Sequence, residues 1–197
     1  LARGSYLART KAGDLSVSVE PNQIWLEMAK GTLVRQLTHV ESARIYRAYH
    51  LEPADQPEEM HPCIINTGLS DILLPVNSKS KLDGAIQNRD ELTAISSELQ
   101  VVGVHMFYCP TEERATAFCR NFAPLFGIDE ECATGTSNAS LTYFLNSYRR
   151  IQKNRINTFV QGEAMGRPSV IRSRMDADQK IYIGGNAVVS VTGEIRL

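Results

Sequence analysis

The run Thr134-Gly-Thr-Ser-Asn-Ala-Ser-Leu-Thr-Tyr-Phe-Leu-Asn-Ser-Tyr-Arg-Arg150 constrains the fold more than any other stretch. Thr136, Ser137 and Asn138 are all good helix-starting residues, and Gly135 permits a sharp entry. The pattern predicts a helix from about Ser137 to Arg150. Ala139, Leu141, Tyr143, Phe144, Leu145 and Tyr148 point in most directions around it, so it should be surrounded by protein rather than lie on a surface. A buried helix that opens at a Gly-Thr-Ser corner presents free N–H groups and a positive dipole end, which suits a carboxylate or an enolate oxygen.

Strands to enclose such a helix are legible on both sides of it. Leu15, Val17 and Val19, then Ile24, Leu26 and Met28, alternate about a Pro21-Asn22 turn and predict a hairpin, with Trp25 on the opposite face. Residues 40–50 read as a short amphipathic helix. The segment 51–60, with two prolines and four acids, reads as a linker, and the lobe boundary is placed there: 1–52 and 53–197. Beyond it, residues 63–67 and 71–76 form two strands hinged at Gly68. A helix starts at Asn88-Arg-Asp-Glu91 and carries Leu92, Ile95 and Leu99. Strands 101–108 and 116–122 flank a turn at 110–114, and an acidic turn follows at 129–131. Strands at 158–161, 169–174, 180–184 and 187–191 close the chain. The class is α+β, a sheet wrapped around a central helix.

Bulk properties exclude more than they assign. The net charge of −1 gives no bulk attraction to nucleic acid or to a membrane surface. The four cysteines, Cys63, Cys109, Cys119 and Cys132, lack CxxC or zinc-finger spacing, which suits a reducing, cytoplasmic setting. His105, Cys109 and Cys119 fit core packing better than a metal site, because no fourth ligand has sensible spacing. The cluster Arg149, Arg150, Lys153 and Arg155 suits the negative end of the central helix.

Gly127-Ile-Asp-Glu-Glu-Cys-Ala-Thr-Gly-Thr-Ser-Asn138 resembles the segment of the PhzF-like phenazine-biosynthesis family that usually reads Gly-x-x-Glu-Asp-Pro-Ala-Thr-Gly-Ser-Ala. Three further stretches agree with that family: Thr67-Gly-Leu-Ser-Asp-Ile-Leu-Leu-Pro-Val76, Gln161-Gly-Glu-Ala-Met-Gly-Arg-Pro168 and Ile183-Gly-Gly-Asn-Ala-Val188. The family groups with diaminopimelate epimerase and proline racemase. The resemblance implies a diaminopimelate-epimerase-like fold: two pseudo-symmetric lobes, each a curved mixed sheet around a central helix, with a cleft between. It begins at Thr10-Lys-Ala-Gly-Asp-Leu-Ser-Val17, so the first lobe is expected to be partial and the second complete.

The resemblance also implies chemistry. It points to cofactor-independent proton transfer on a small carboxylic acid, with no metal, flavin or nucleotide. Glu131 stands where the family has Asp, and Thr136 where it has Ser; both would orient the substrate. Cys132 stands where the family has Pro and the racemases have a proton-shuttling cysteine, although a small half-buried residue in proline's place is the plainer reading. Glu131, Cys132 and Thr136 are therefore the candidate catalytic residues. Thr134, Gly135, Ser137, Asn138, Thr67 and Gly68 are the candidate substrate-binding residues. The family's glutamate base and its Cys-Gly-His-Ala motif have no match here, since none of His39, His50, His61 and His105 has the flanking glycine. That favours, as a rival, a non-catalytic binding or structural module; a thiol-dependent amino-acid racemase is a third reading, favoured only by Cys132. A partial first lobe should also leave the hairpin at 15–28 with an uncovered edge, so self-association, as a homo-oligomer such as a dimer, is expected.

Overall fold

The computed structural model describes residues 2–10, 13–111 and 115–194. Its strands are β1 (Gly4–Thr10), β2 (Gly13–Glu20), β3 (Gln23–Glu27), β4 (Thr32–Gln36), β5 (Cys63–Asn66), β6 (Ser70–Pro75), β7 (Gly103–Tyr108), β8 (Ala117–Ala123), β9 (Ile128–Glu131), β10 (Asn157–Gln161), β11 (Ser169–Met175) and β12 (Ile181–Gly185). Its helices are α1 (His39–Ala48), α2 (Lys79–Gly84), α3 (Arg89–Glu98) and α4 (Gly135–Ser147). The strands form one mixed sheet in the order β1-β2-β3-β12-β11-β10-β8-β7-β6-β5-β4, with β9 added on β8. Among the described residues, no helix is long and apolar enough to cross a membrane.

The sheet curls around α4, which packs on β5, β6, β11 and β12. Ala139, Leu141, Phe144 and Leu145 are buried there, and the edge-on contact of Phe107 with Phe144 belongs to the same core. The expectation of an enclosed central helix holds. Ser137, Asn138, Ser140 and Thr142 are buried too, and each finds a partner. Ser137 donates to Asp71 Oδ2 at 2.7 Å, Thr142 donates to Ser173 Oγ at 2.7 Å, and the Asn138 amide donates to Gln161 Oε1 at 2.9 Å. Ser140 and Thr67 share a bond of 2.9 Å. These pairings fix the rotation of α4, because a buried hydroxyl or amide without a partner costs about 1–3 kcal/mol.

A second layer covers the other face of the sheet: α1 and α3 pack together over Ile64, Ile72, Leu74, Val104 and Met106. Each of these helices starts on a cap that the sequence supplies. Thr38 and Glu41 form a reciprocal capping box on α1, and Asn88 accepts from Glu91 N on α3.

Several expectations are corrected. Residues 128–131 are not a turn but the strand β9, paired with β8 so that Glu131 stands opposite Asn121. Helix α4 starts at Gly135, two residues early, with Thr134 at the cap position and no side chain capping it. Residues 187–191 form no strand. The partner strand β3 ends at the Pro21-Asn22 turn, one residue past its last pairing with β12, and Val188, Val189 and Val191 lie exposed. The hairpin β2-β3 has no uncovered edge, since β1 pairs along β2 and β12 along β3. Strands β1, β4 and helix α2 carry weaker alternation and were not anticipated. Part of the expected turn at 110–114 lies outside the described residues.

Candidate active site

A cavity of about 400 Å³ opens at the first turn of α4. Glu131, Ala133, Thr134, Gly135, Thr136 and Ser137 form one wall, while Leu26, Met28 and Ile183 from the far end of the sheet form another. Asp71 and Asn121 complete the polar part. The cavity thus lies between the start of α4, the paired strands β3 and β12, and the mid-chain strands β6, β8 and β9.

The corner is built by a chain of short bonds. Gln161 is fully buried and its amide donates to Glu131 O at 2.7 Å and to Thr134 Oγ1 at 3.0 Å. Thr134, instead of capping α4, donates its hydroxyl to Glu131 Oε2 at 2.5 Å. Asn121 reaches the same oxygen at 3.5 Å, and its carbonyl meets His105 Nδ1 at 3.0 Å. Burial pushes His105 down to about 4, so the ring is neutral at physiological pH. The first-turn N–H groups of α4 are left without a side-chain cap and carry the positive end of the helix dipole.

Asp71 is the residue that sequence reasoning missed. It is 2% exposed, it accepts from Ser137 through Oδ2, and its Oδ1 has no partner among the described residues. Burial, reinforced by the neighbouring Glu131 carboxyl and partly offset by the Ser137 hydrogen bond, raises it from 3.8 to about 6. Its signal was a charged residue set directly before the apolar run Ile72-Leu-Leu74 at the start of a buried strand. Asn121 and Gln161, also unassigned from the sequence, hold the corner as described above.

The structure separates the candidate residues into two groups. Glu131, Thr134, Gly135, Thr136 and Ser137 line the cavity, and the Thr136 hydroxyl has no partner among the described residues. Cys132 does not line it. It follows directly after the end of β9, and its Cβ sits close to Gly162, 2.9 Å from where a Cβ added there would lie. Asn138 is buried and engaged with Thr134 O and Gln161. Thr67 donates to Thr136 O at 3.1 Å and pairs with Ser140, which holds the helix. Gly68 forms the β5-β6 turn with φ 113°, its N–H bonded to Asn66 Oδ1 at 2.9 Å. The Gln161–Arg167 stretch is a tight connection: Gly162 and Gly166 have positive φ, and Arg167 N donates to Gly162 O at 3.0 Å.

A large mixed sheet curled on a central helix, with few other helices, makes this a mixed α+β fold. The family model for the phenazine biosynthesis-like proteins, PhzC-PhzF, matches residues 2–193, and the chain belongs to that family. It is 29% identical over 201 residues to an uncharacterized isomerase from Clostridium acetobutylicum, covering 96% of this chain and 67% of that relative. The crystal structure of a PhzF-family phenazine biosynthesis protein from Bacillus anthracis superposes with a TM-score of 0.78 at 16% identity, over 94% of this chain and 66% of that one. A hydroxyproline epimerase from Agrobacterium vitis, solved with bound trans-4-hydroxy-L-proline, superposes at 0.55 and 13% identity, over 93% of this chain and 56% of that one. The chain therefore spans about two thirds of the length of the isomerase and of the PhzF-family protein.

Proposed function

We propose that the chain carries an isomerase-type site for cofactor-independent proton transfer on a small carboxylic acid. The observation that carries this reading is the uncapped start of α4, which opens into a cavity of about 400 Å³ beside two carboxyl side chains. That volume falls within the usual range for small-molecule sites. The N–H groups of the first turn would hold a carboxylate or a developing enolate oxygen, where oriented donors lower a barrier most. Thr136 would bond the ligand through its free hydroxyl, and Glu131, fixed by Thr134, would act as general base on one face. Leu26, Met28 and Ile183 would exclude water from the carbon that loses its proton.

Membership of a family with isomerase relatives supports this reading, as does a fold neighbour that binds a small cyclic amino acid. The absence of Cys132 from the cavity lining disfavours a thiol-dependent racemase. Epimerisation needs an acid on the opposite face of the substrate as well. No match to the family's glutamate base or Cys-Gly-His-Ala motif occurs in residues 1–197, so exchange without net turnover is the activity expected of this chain.

The test is loss of the α-proton NMR signal from a panel of small 2-amino, 2-hydroxy and unsaturated cyclic acids in heavy water. It is run on this chain and on a form extended to the length of the Clostridium relative. Exchange that disappears in Glu131→Gln and survives in Cys132→Ala is expected, with the extended form faster. Exchange by neither form would favour a non-catalytic binding module, and dependence on Cys132 would restore the thiol reading.

A further inference from the structure

The cleft holds one negative group too many for the ligand it is shaped to take. Asp71 and Glu131 both line it, and a bound carboxylate would be the third anion in the same cavity. A helix start offers about half a positive charge. That cannot offset three carboxylates packed in a partly desolvated site, where like charges drive one group to its neutral form.

The surroundings show which group yields. Glu131 is held by two donors, the Thr134 hydroxyl and the Asn121 amide. Asp71 is the more deeply buried of the two and has a single donor, Ser137, with Oδ1 unengaged. Its strand neighbours offer no counter-charge: the residues opposite it are Ile65 on β5 and Gly103 on β7. His105, the nearest titratable group on β7, is buried, neutral and turned to Asn121. From α4 the facing group is the Ser137 hydroxyl, from β9 it is Glu131, and the far wall of Leu26, Met28 and Ile183 is apolar. No cation from any of these elements faces the Asp71 carboxyl.

We propose that Asp71 takes up a proton from solvent when a small carboxylate settles at the start of α4, and so becomes the acid that accompanies the bound ligand. The proton comes from the buffer, no covalent bond forms, and the cleft gains no net charge on binding. This rests on the reading of the cleft as a carboxylate site. It predicts that affinity is flat below about pH 6 and falls as pH rises above it, by up to tenfold per pH unit, because the unliganded protein then has to be protonated in order to bind.

The probe is benzoate, titrated calorimetrically into the full chain at pH 7 in buffers of different ionisation enthalpy, which counts the protons exchanged. Wild type should take up most of one proton. Asp71→Asn should bind benzoate at pH 8 at least as well as wild type, with no proton uptake and no pH dependence. Ser137→Ala removes the bond that favours the ionised form, so the pH at which affinity begins to fall should move upward; a purely structural Asp71 would produce no such shift. Should Asp71→Asn fail to fold, the Ser137→Ala shift decides alone. Binding to wild type without proton uptake, or uptake that persists in Asp71→Asn, overturns the role of Asp71 and leaves the carboxylate site standing. No binding to wild type overturns both.

Discussion

The Ser137 hydroxyl donates to Asp71 Oδ2 at 2.7 Å, joining the first turn of the central helix to the start of strand β6. Both groups are buried, and they are 66 residues apart in the chain. The bond fixes the face of α4 that meets the cavity, and it restrains the carboxyl without neutralising it.

Burying that carboxyl costs stability, and the cost depends on pH. The pKa of Asp71 in the folded state, about 6, lies above its ordinary 3.8. Its protonated form is therefore the favoured one in the fold: the contribution is complete below about pH 4 and is lost as pH rises through 6. Asp71→Asn should stabilise the protein at pH 8, by at most about 3 kcal/mol, and the gain should vanish by pH 4. Urea denaturation at the two pH values measures this. An equal effect at both would mean that the carboxyl is not strained by burial.

Arg120 supports the strand that carries Glu131. Its guanidinium makes two bonds to Glu130, at 2.9 and 2.8 Å, and donates to Leu82 O at 3.0 Å and Ala85 O at 2.7 Å at the end of α2. Arg120→Ala strands a nearly buried carboxylate and two carbonyls, so it should cost about 3–5 kcal/mol. Thermal and urea unfolding would check it; a loss under 1 kcal/mol would show that β9 is held by its backbone pairing instead.

The capping box of α1 lies far from the cleft and separates stability from function. Thr38→Ala removes the hydroxyl that accepts from Glu41 N at 3.2 Å, and should lower stability by about 1 kcal/mol. Benzoate affinity should stay the same within error. A matching drop in affinity would mean that the cleft depends on global stability rather than on its own geometry.

The central helix was legible because its apolar residues leave no polar face, and the hairpin at 15–28 because alternation and a Pro-Asn turn coincide. The lining of the cavity was legible in part, through the Thr134–Ser137 corner and Glu131. Cys132, a candidate beside the plainer packing reading, lies past the end of β9 and off the cavity lining, although Glu131 and Ala133 on either side of it line the cavity. Asp71 and Gln161 were missed for a different reason. Their roles arise from pairings with Ser137 and with Glu131 and Thr134 across long stretches of chain, which no local pattern encodes. Residues 187–191 alternate like a strand, but past Gly185 the neighbouring strand β3 gives way to the Pro21-Asn22 turn and leaves them nothing to pair with there.

The claim on which the rest depends is that the start of α4 receives a carboxylate. A nitrogen–proton correlation NMR titration with benzoate at pH 6 tests it directly, residue by residue. The account predicts the largest amide shifts at Gly135, Thr136 and Ser137, saturating together, with smaller ones at Ile183 and Met28 across the cavity. Shifts concentrated instead around Arg150 and Arg155, at the opposite end of the helix, or no saturable shift at Gly135–Ser137, would contradict it.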